Sequence, residues 1–276
     1  MSTISAADVN KLRQMTGAGM MDCKKALTET NGDFEAAVDF LRKKGAKVSA
    51  ARADRDAKEG AIIAKTSSDN KTGVIIQLSC ETDFVAKNED FVKFAHSIAD
   101  LALANKPANA DALKALTVDG LPLSERLIEQ VGKIGEKIDV VKYELVEANN
   151  VVAYIHGANR LGVLVAMNNA PSEANLVAGK DAAMQVAALN PIAVDKGDVD
   201  ASVIERELEI AKEQIRAEGK PENMIEKIAQ GKLAKFYKDS TLLNQEFVKD
   251  SSLTVGQMLD KAEKGLSVTS FKRISL

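Results

Sequence analysis

At 276 residues the chain is long enough for about two ordinary domains, and 45% hydrophobic with 28% charged residues is the balance of a folded protein. The net charge of −3, from 37 basic and 40 acidic residues, with no tryptophan and 4% aromatics, argues against a surface built to grip phosphate backbones or stack bases. Direct DNA or RNA contact is therefore not expected, and the partner is a protein or a small molecule. Two isolated cysteines, no apolar h-region at the N-terminus and no apolar run long enough to span a bilayer point to a reducing cytoplasm and no membrane.

Residues 1–45 read as three short helices. Ser5 can cap the first, with Val9 and Leu12 on its inner face, and "TGAG" (Thr16–Gly19) breaks it. The second, about Met20 to Thr28, stops at Asn31–Gly32, and Asp33 can cap the third, which carries Phe34, Ala37, Val38 and Leu41 and ends near "KKG". Residues 46–60, alanine-rich and charged without an apolar stripe, read as a linker that can be helical. In 61–149, "GAIIAKT" and "TGVIIQLSC" are strand-like around a polar break, so they predict a hairpin. A helix follows from about Asn88 to Asn105, with Phe91, Phe94 or Ala95, Ile98 and Leu101 on one face. The same elements return in "NVVAYIHG", "RLGVLVAMNN" and "EANLVAGKDAAMQVAALNP", with Gly73 matching Gly162 and Pro107 matching Pro191. This predicts a duplicated ββα core, its second copy made from 150–197 and 239–276, with helical material near Ala110–Glu136 between the copies. Inserted at 198–238, Ile204, Leu208, Ala211 and Ile215 form a narrow seam. A Gly219–Lys220–Pro221 turn and a returning helix with Ile225, Ile228, Leu233 and Phe236 complete an antiparallel hairpin suited to a two-stranded coiled coil. "SVTSFKRISL" reads as a final strand. The fold class is α+β.

No chemistry-bearing constellation stands out. "TGAGMMDCKKAL" lacks the G-x-x-x-x-G-K-[ST] spacing and follows a helix, so a glycine turn between helices fits better than a phosphate loop. His96 and His156, with Cys23 and Cys80, have no metal-ligand spacing, and no nucleophile–base pair can be nominated, so no metal, cofactor or enzymatic activity is expected. His156 reads as a polar residue at a turn. In "CETDFVAKNED", Phe84 lies seven residues before Phe91, and periodicity places it in the core. Asp83 would be an acid at a helix N-terminus, yet Thr82 and Asn88 are two cap sites so close that an irregular turn is expected between them.

"LRQMTGAGMMDCKKAL" (Leu12–Leu27) and "TDFVAKN" (Thr82–Asn88), with "YIHGANRLGVLV" and the inserted hairpin, make the chain similar to the bacterial translation elongation factor Ts family over nearly its whole length. The resemblance implies a guanine nucleotide exchange factor for elongation factor Tu, binding its GDP-bound and nucleotide-free forms, with a ubiquitin-associated-like N-terminal bundle. It assigns Thr82, Asp83, Phe84 and Val85 to dislodging the partner's Mg²⁺. Phe84 would be a wedge between helices of the GTPase domain, and Lys24, His156, Phe247 and Val248 would dock the partner. The family pattern continues past the last strand into a Gly-Glu-Gly turn and a helix that this sequence, ending at Leu276, does not contain. The rival readings are a non-catalytic helical adaptor and an enzyme holding a phosphate substrate at the glycine turn.

Overall fold

Ser5 opens the molecule with a reciprocal cap. Its hydroxyl accepts the Asp8 N–H at 3.1 Å while the Asp8 carboxylate accepts the Ser5 N–H at 3.1 Å, which starts α1 (Ala6–Thr16). The computed structural model describes residues 4–276. Gly17, in the left-handed region at φ +67°, ends α1 by donating its N–H to the Arg13 carbonyl at 2.7 Å. After α2 (Met20–Glu29), Asn31 and Gly32 also take positive φ, and the Asp33 carboxylate caps α3 (Phe34–Ala51). The three helices share a small core of Leu12, Cys23, Ala26, Leu27 and Ala37.

Next come β1 (Glu59–Thr66), β2 (Thr72–Cys80), a four-residue helix α4 (Asp83–Ala86) and α5 (Glu89–Asn105). They are followed by α6 (Ala110–Ala115), the small ribbon β3 (Thr117–Val118) with β4 (Leu121–Pro122), α7 (Leu123–Ile134) and β5 (Asp139–Glu147). Strands β1, β2 and β5 form one sheet with β2 in the middle, and every residue of β2 is buried. Strand β5 has no counterpart in the sequence expectation. Its apolar and charged residues alternate only in part, because it is a half-exposed strand beside a buried one. On α5 the inward residues are Phe91, Ala95, Ile98 and Ala102, so Ala95 takes the position left open between it and Phe94.

The third helix corrects a second expectation. It does not stop at the glycine of "KKG" but runs on to Ala51, so the first residues of the linker segment are helical, as its composition allows. Here Gly45 serves close packing rather than termination. A Cβ at Gly132 of α7 would lie 2.8 Å from the Gly45 Cα, and one at Gly45 would lie 3.1 Å from the Ile128 carbonyl oxygen. The two backbones touch where both side chains are absent, and α7 gives the small N-terminal core a surface to rest on.

The remaining elements are β6 (Asn150–His156), β7 (Leu161–Met167), α8 (Glu173–Leu189), α9 (Ala201–Ala217) and α10 (Glu222–Ser240). Then follow β8 (Glu246–Phe247), β9 (Asp250–Thr254), α11 (Val255–Ala262) and β10 (Val268–Ser275). Strand β7 is central, antiparallel to β6 on one side and to the final strand β10 on the other, with Val165 opposite both Val152 and Phe271. Helix α8 lies on this sheet, and Val163, Met167, Ala182, Val186 and Leu259 belong to the core beneath. Helices α9 and α10 pack through their own cluster of Ala211, Ile215, Ile225 and Ala229. The chain forms two compact units, one from residues up to Ile63, Ile76–Tyr143 and Leu276, the other from Ala64–Ile75 and Glu144–Ser275.

Replacing Gly132 by leucine forces a side chain into the helix–helix contact, and an overpacked contact of this kind costs about 1–3 kcal/mol. A lower urea midpoint for Gly132→Leu is expected, and an unchanged midpoint would show that α3 and α7 separate without penalty.

Candidate functional site

The stretch between β2 and α5 is fastened by carboxylates rather than by burial. Strand β2 ends at Cys80, whose Sγ donates to the Thr82 carbonyl oxygen at 3.2 Å. Burial first, then the nearby Glu136 and Glu59 carboxylates, push the Cys80 thiol up to about 12, so at neutral pH it is a protonated donor and no nucleophile. One Glu136 oxygen accepts the N–H groups of Glu81 and Thr82, both at 3.0 Å, and the other accepts the Thr82 hydroxyl at 2.6 Å. Glu81 returns the favour. Its carboxylate accepts the Lys137 N–H at 2.6 Å and the Arg52 guanidinium at 2.8 Å. Two segments distant in sequence thus cap one another, each through the other's glutamate.

On this base stands α4. The Thr82 hydroxyl oxygen accepts the Val85 N–H at 3.4 Å, and Asn88 Oδ1 accepts the N–H groups of Asp90 at 2.9 Å and Phe91 at 3.3 Å. Both cap sites are used, so the chain makes one short helix, breaks, and starts another. The break resets the helical phase and overturns the periodicity reading of Phe84. Phe91 is 2% exposed whereas Phe84 is 83% exposed, and no side chain of α4 is fully buried. Beside it the Asp83 carboxylate is paired with Lys87 Nζ at 2.6 Å, one helical turn away, and this hydrogen bond holds the Asp83 carboxyl below its ordinary value.

The two quoted motifs meet in space. Gly17, Ala18 and Gly19 of the glycine turn line a recess of about 330 Å³ together with Phe84, Val85 and Lys133. Lys24 lies exposed on α2, on the helix whose first residues, Met20 and Met21, are also exposed. Exposed methionines are soft, adaptable contact residues.

In the second unit, His156 is the exposed last residue of β6, with Nδ1 2.9 Å from the Tyr154 hydroxyl. Phe247 lies in the interior of the second unit. It is 6% exposed and belongs to the core with Leu242 and Val255, because β8 turns it inward. Val248, next to it, is 50% exposed. The buried Gln185 of α8 fixes this turn, accepting the Val248 N–H at 2.9 Å and donating to the Glu246 carbonyl oxygen at 3.0 Å. Neither Glu136 nor Gln185 stands out in the sequence, since each holds a segment more than fifty residues away and no local pattern marks it. Among the described residues no cluster of His, Cys, Asp or Glu could hold a metal ion, and no helix is long and apolar enough to cross a membrane.

The Lys137 N–H is the first cause of a lowered Glu81 pKa, followed among the favourable contacts by Arg52. A lowered folded-state pKa stabilises the junction above the ordinary carboxylate range, and the contribution is lost as pH falls through the folded value. The Lys137 amide signal in an NMR titration is expected to move with a midpoint below the ordinary 4.5, and a midpoint at or above 4.5 would contradict the clamp.

A family model described as elongation factor TS matches residues 81–276. An elongation factor Ts from Cytophaga hutchinsonii is 57% identical over 277 residues, covering 100% of both chains. One from Amoebophilus asiaticus is 58% identical over 271 residues and 98% of each chain, and one from Porphyromonas gingivalis is 45% identical over 276 residues, 99% of this chain and 98% of its own. The exposed Phe84 on its clamped helix therefore sits in a chain that belongs to the elongation factor Ts family, the nucleotide-exchange factors of translation elongation.

Proposed function

We propose that this chain opens the nucleotide site of elongation factor Tu by pressing α4 into its GTPase domain. Phe84 enters as a wedge between packed helices, and Asp83 engages the polar groups near the Mg²⁺. Thr82 and Val85 hold and flank the pair. The observation that carries this reading is a large aromatic side chain, 83% exposed, on a helix that is held in place from below. A monomer ordinarily buries such a residue, and a wedge that is already fixed loses little conformational freedom on insertion.

The consequence follows from the metal. Mg²⁺ demands near-ideal octahedral geometry, so a small displacement of its ligands is costly. Without it the phosphates of GDP lose their bridge and much of their charge neutralisation. Lys24 on α2, His156 at the end of β6 and Val248 supported by Phe247 supply affinity over a wider surface. The helices α1–α3 are read as a ubiquitin-associated-like bundle, α9 and α10 as a coiled-coil arm, and the cytoplasm as the place of action.

Linkage constrains the cycle. Whatever factor this chain costs GDP in affinity, GDP costs this chain, so a ternary complex forms and decays toward either product. No bond is made or broken, and the surrounding nucleotide pool sets the direction of exchange. Both GDP-bound and nucleotide-free elongation factor Tu are binding states.

Stopped-flow release of a fluorescent GDP from elongation factor Tu tests the reading. Burying a phenylalanine side chain contributes about 1.5–3 kcal/mol, so Phe84→Ala is expected to slow the accelerated release by roughly 10- to 100-fold. Acceleration that survives the substitution would remove the wedge. Tight binding by the unmutated chain with no acceleration at all would leave a helical adaptor.

A further inference from the structure

Resting on the reading of α4 as the element that enters the partner, we infer that Lys87 is a positioning residue that parks Asp83 until docking. The pair closes at 2.6 Å across one turn of α4, with the two side chains 74% and 45% exposed for Lys87 and Asp83. The other carboxylates nearby on α5 are served elsewhere, Glu89 and Asp90 by Lys93 at 3.6 and 4.0 Å, and this leaves Lys87 to Asp83. In the free chain, then, the acid beside the projecting phenylalanine is laid along the helix rather than aimed outward. Phe84 is left as the projecting group of α4.

A parked carboxylate has two effects. It keeps an unpaired negative charge off the tip of the wedge while Phe84 is being seated against an apolar helix interface. It also means that Asp83 must exchange Lys87 for the partner's polar groups, a step that opposes docking. An exposed i,i+4 pair is weak and reversible, so the opposition is small and is screened by salt. Lys87 therefore acts through Asp83 and needs no contact of its own with the nucleotide or the metal.

The test is GDP release from elongation factor Tu at subsaturating chain, with Lys87→Met and Asp83→Asn singly and together, at low and high salt. At low salt Lys87→Met is expected to speed release about twofold, the typical strength of an exposed helical pair. That gain is expected to shrink toward unity in ~0.5 M salt, where screening lengths fall to a few ångströms. It is also expected to vanish in the Asp83→Asn background. A Lys87→Met chain that is slower than, or equal to, the unmutated chain would overturn the proposal, as would a gain that persists without Asp83. If Asp83→Asn and Phe84→Ala both leave release unchanged, the reading of α4 fails. If Asp83→Asn slows release but Lys87→Met does nothing, only the parking role fails.

Discussion

Two glutamates exchanged across one junction hold up the rest of the site. Glu136 accepts from the backbone of Glu81 and Thr82, and Glu81 accepts from the backbone of Lys137. A four-residue helix is far too short to persist by itself, since nucleating a helix fixes several residues for very few hydrogen bonds. No side chain of α4 is fully buried, Val85 and Ala86 being half-buried, so the hydrophobic effect holds it only weakly. Charge-assisted hydrogen bonds, each worth about 1.5–3 kcal/mol, are the main contribution that offsets the roughly 1–2 kcal/mol per residue of fixing its backbone. The protonated Cys80 thiol adds a neutral donor at the same corner. Exposure and fixity, usually opposed, are combined at Phe84 by this arrangement.

The N-terminal helices depend on a different constraint. Their core is small, and they gain support where α3 crosses α7 at Gly45 and Gly132. Helix α7 serves both elements, because Lys133 next to that crossing reaches Gly17 in the glycine turn and lines the same recess as Phe84. Lys24 and the exposed methionines of α2 are thereby carried on the same unit as Phe84. In the second unit the equivalent support comes from Gln185, a buried polar side chain that spends its hydrogen bonds on the turn displaying Val248.

Local signals were legible in the sequence where the physics is local. Ser5, Asp33, Thr82 and Asn88 all cap helices as their positions suggested, because capping needs only a neighbouring N–H. The final strand pairs with β7 as a strand, and the seam residues Ala211 and Ile215 are buried on α9. Illegible were the features decided by partners far along the chain. Gly45 looked like a stop because the glycine facing it lies on α7, and β5 was missed because its pattern reflects a neighbour rather than a solvent face. Phe247, which the resemblance pairs with Val248 as a docking position, points inward while Val248 is exposed, a difference set by β8 and its neighbours rather than by local pattern. For Phe84 the periodicity spoke for the core, and the resemblance spoke for a tip. The exposure agrees with the tip, for the reason that two caps interrupt the helical phase.

The most direct measurement is a double-mutant cycle on GDP release from elongation factor Tu with Phe84→Ala, Glu136→Ala and both. If Glu136 matters because it presents Phe84, removing it slows release when Phe84 is present and adds almost nothing once Phe84 is gone. Losses that simply add would mean that the clamp and the wedge act independently, which would contradict the dependence of the site on the exchanged glutamates.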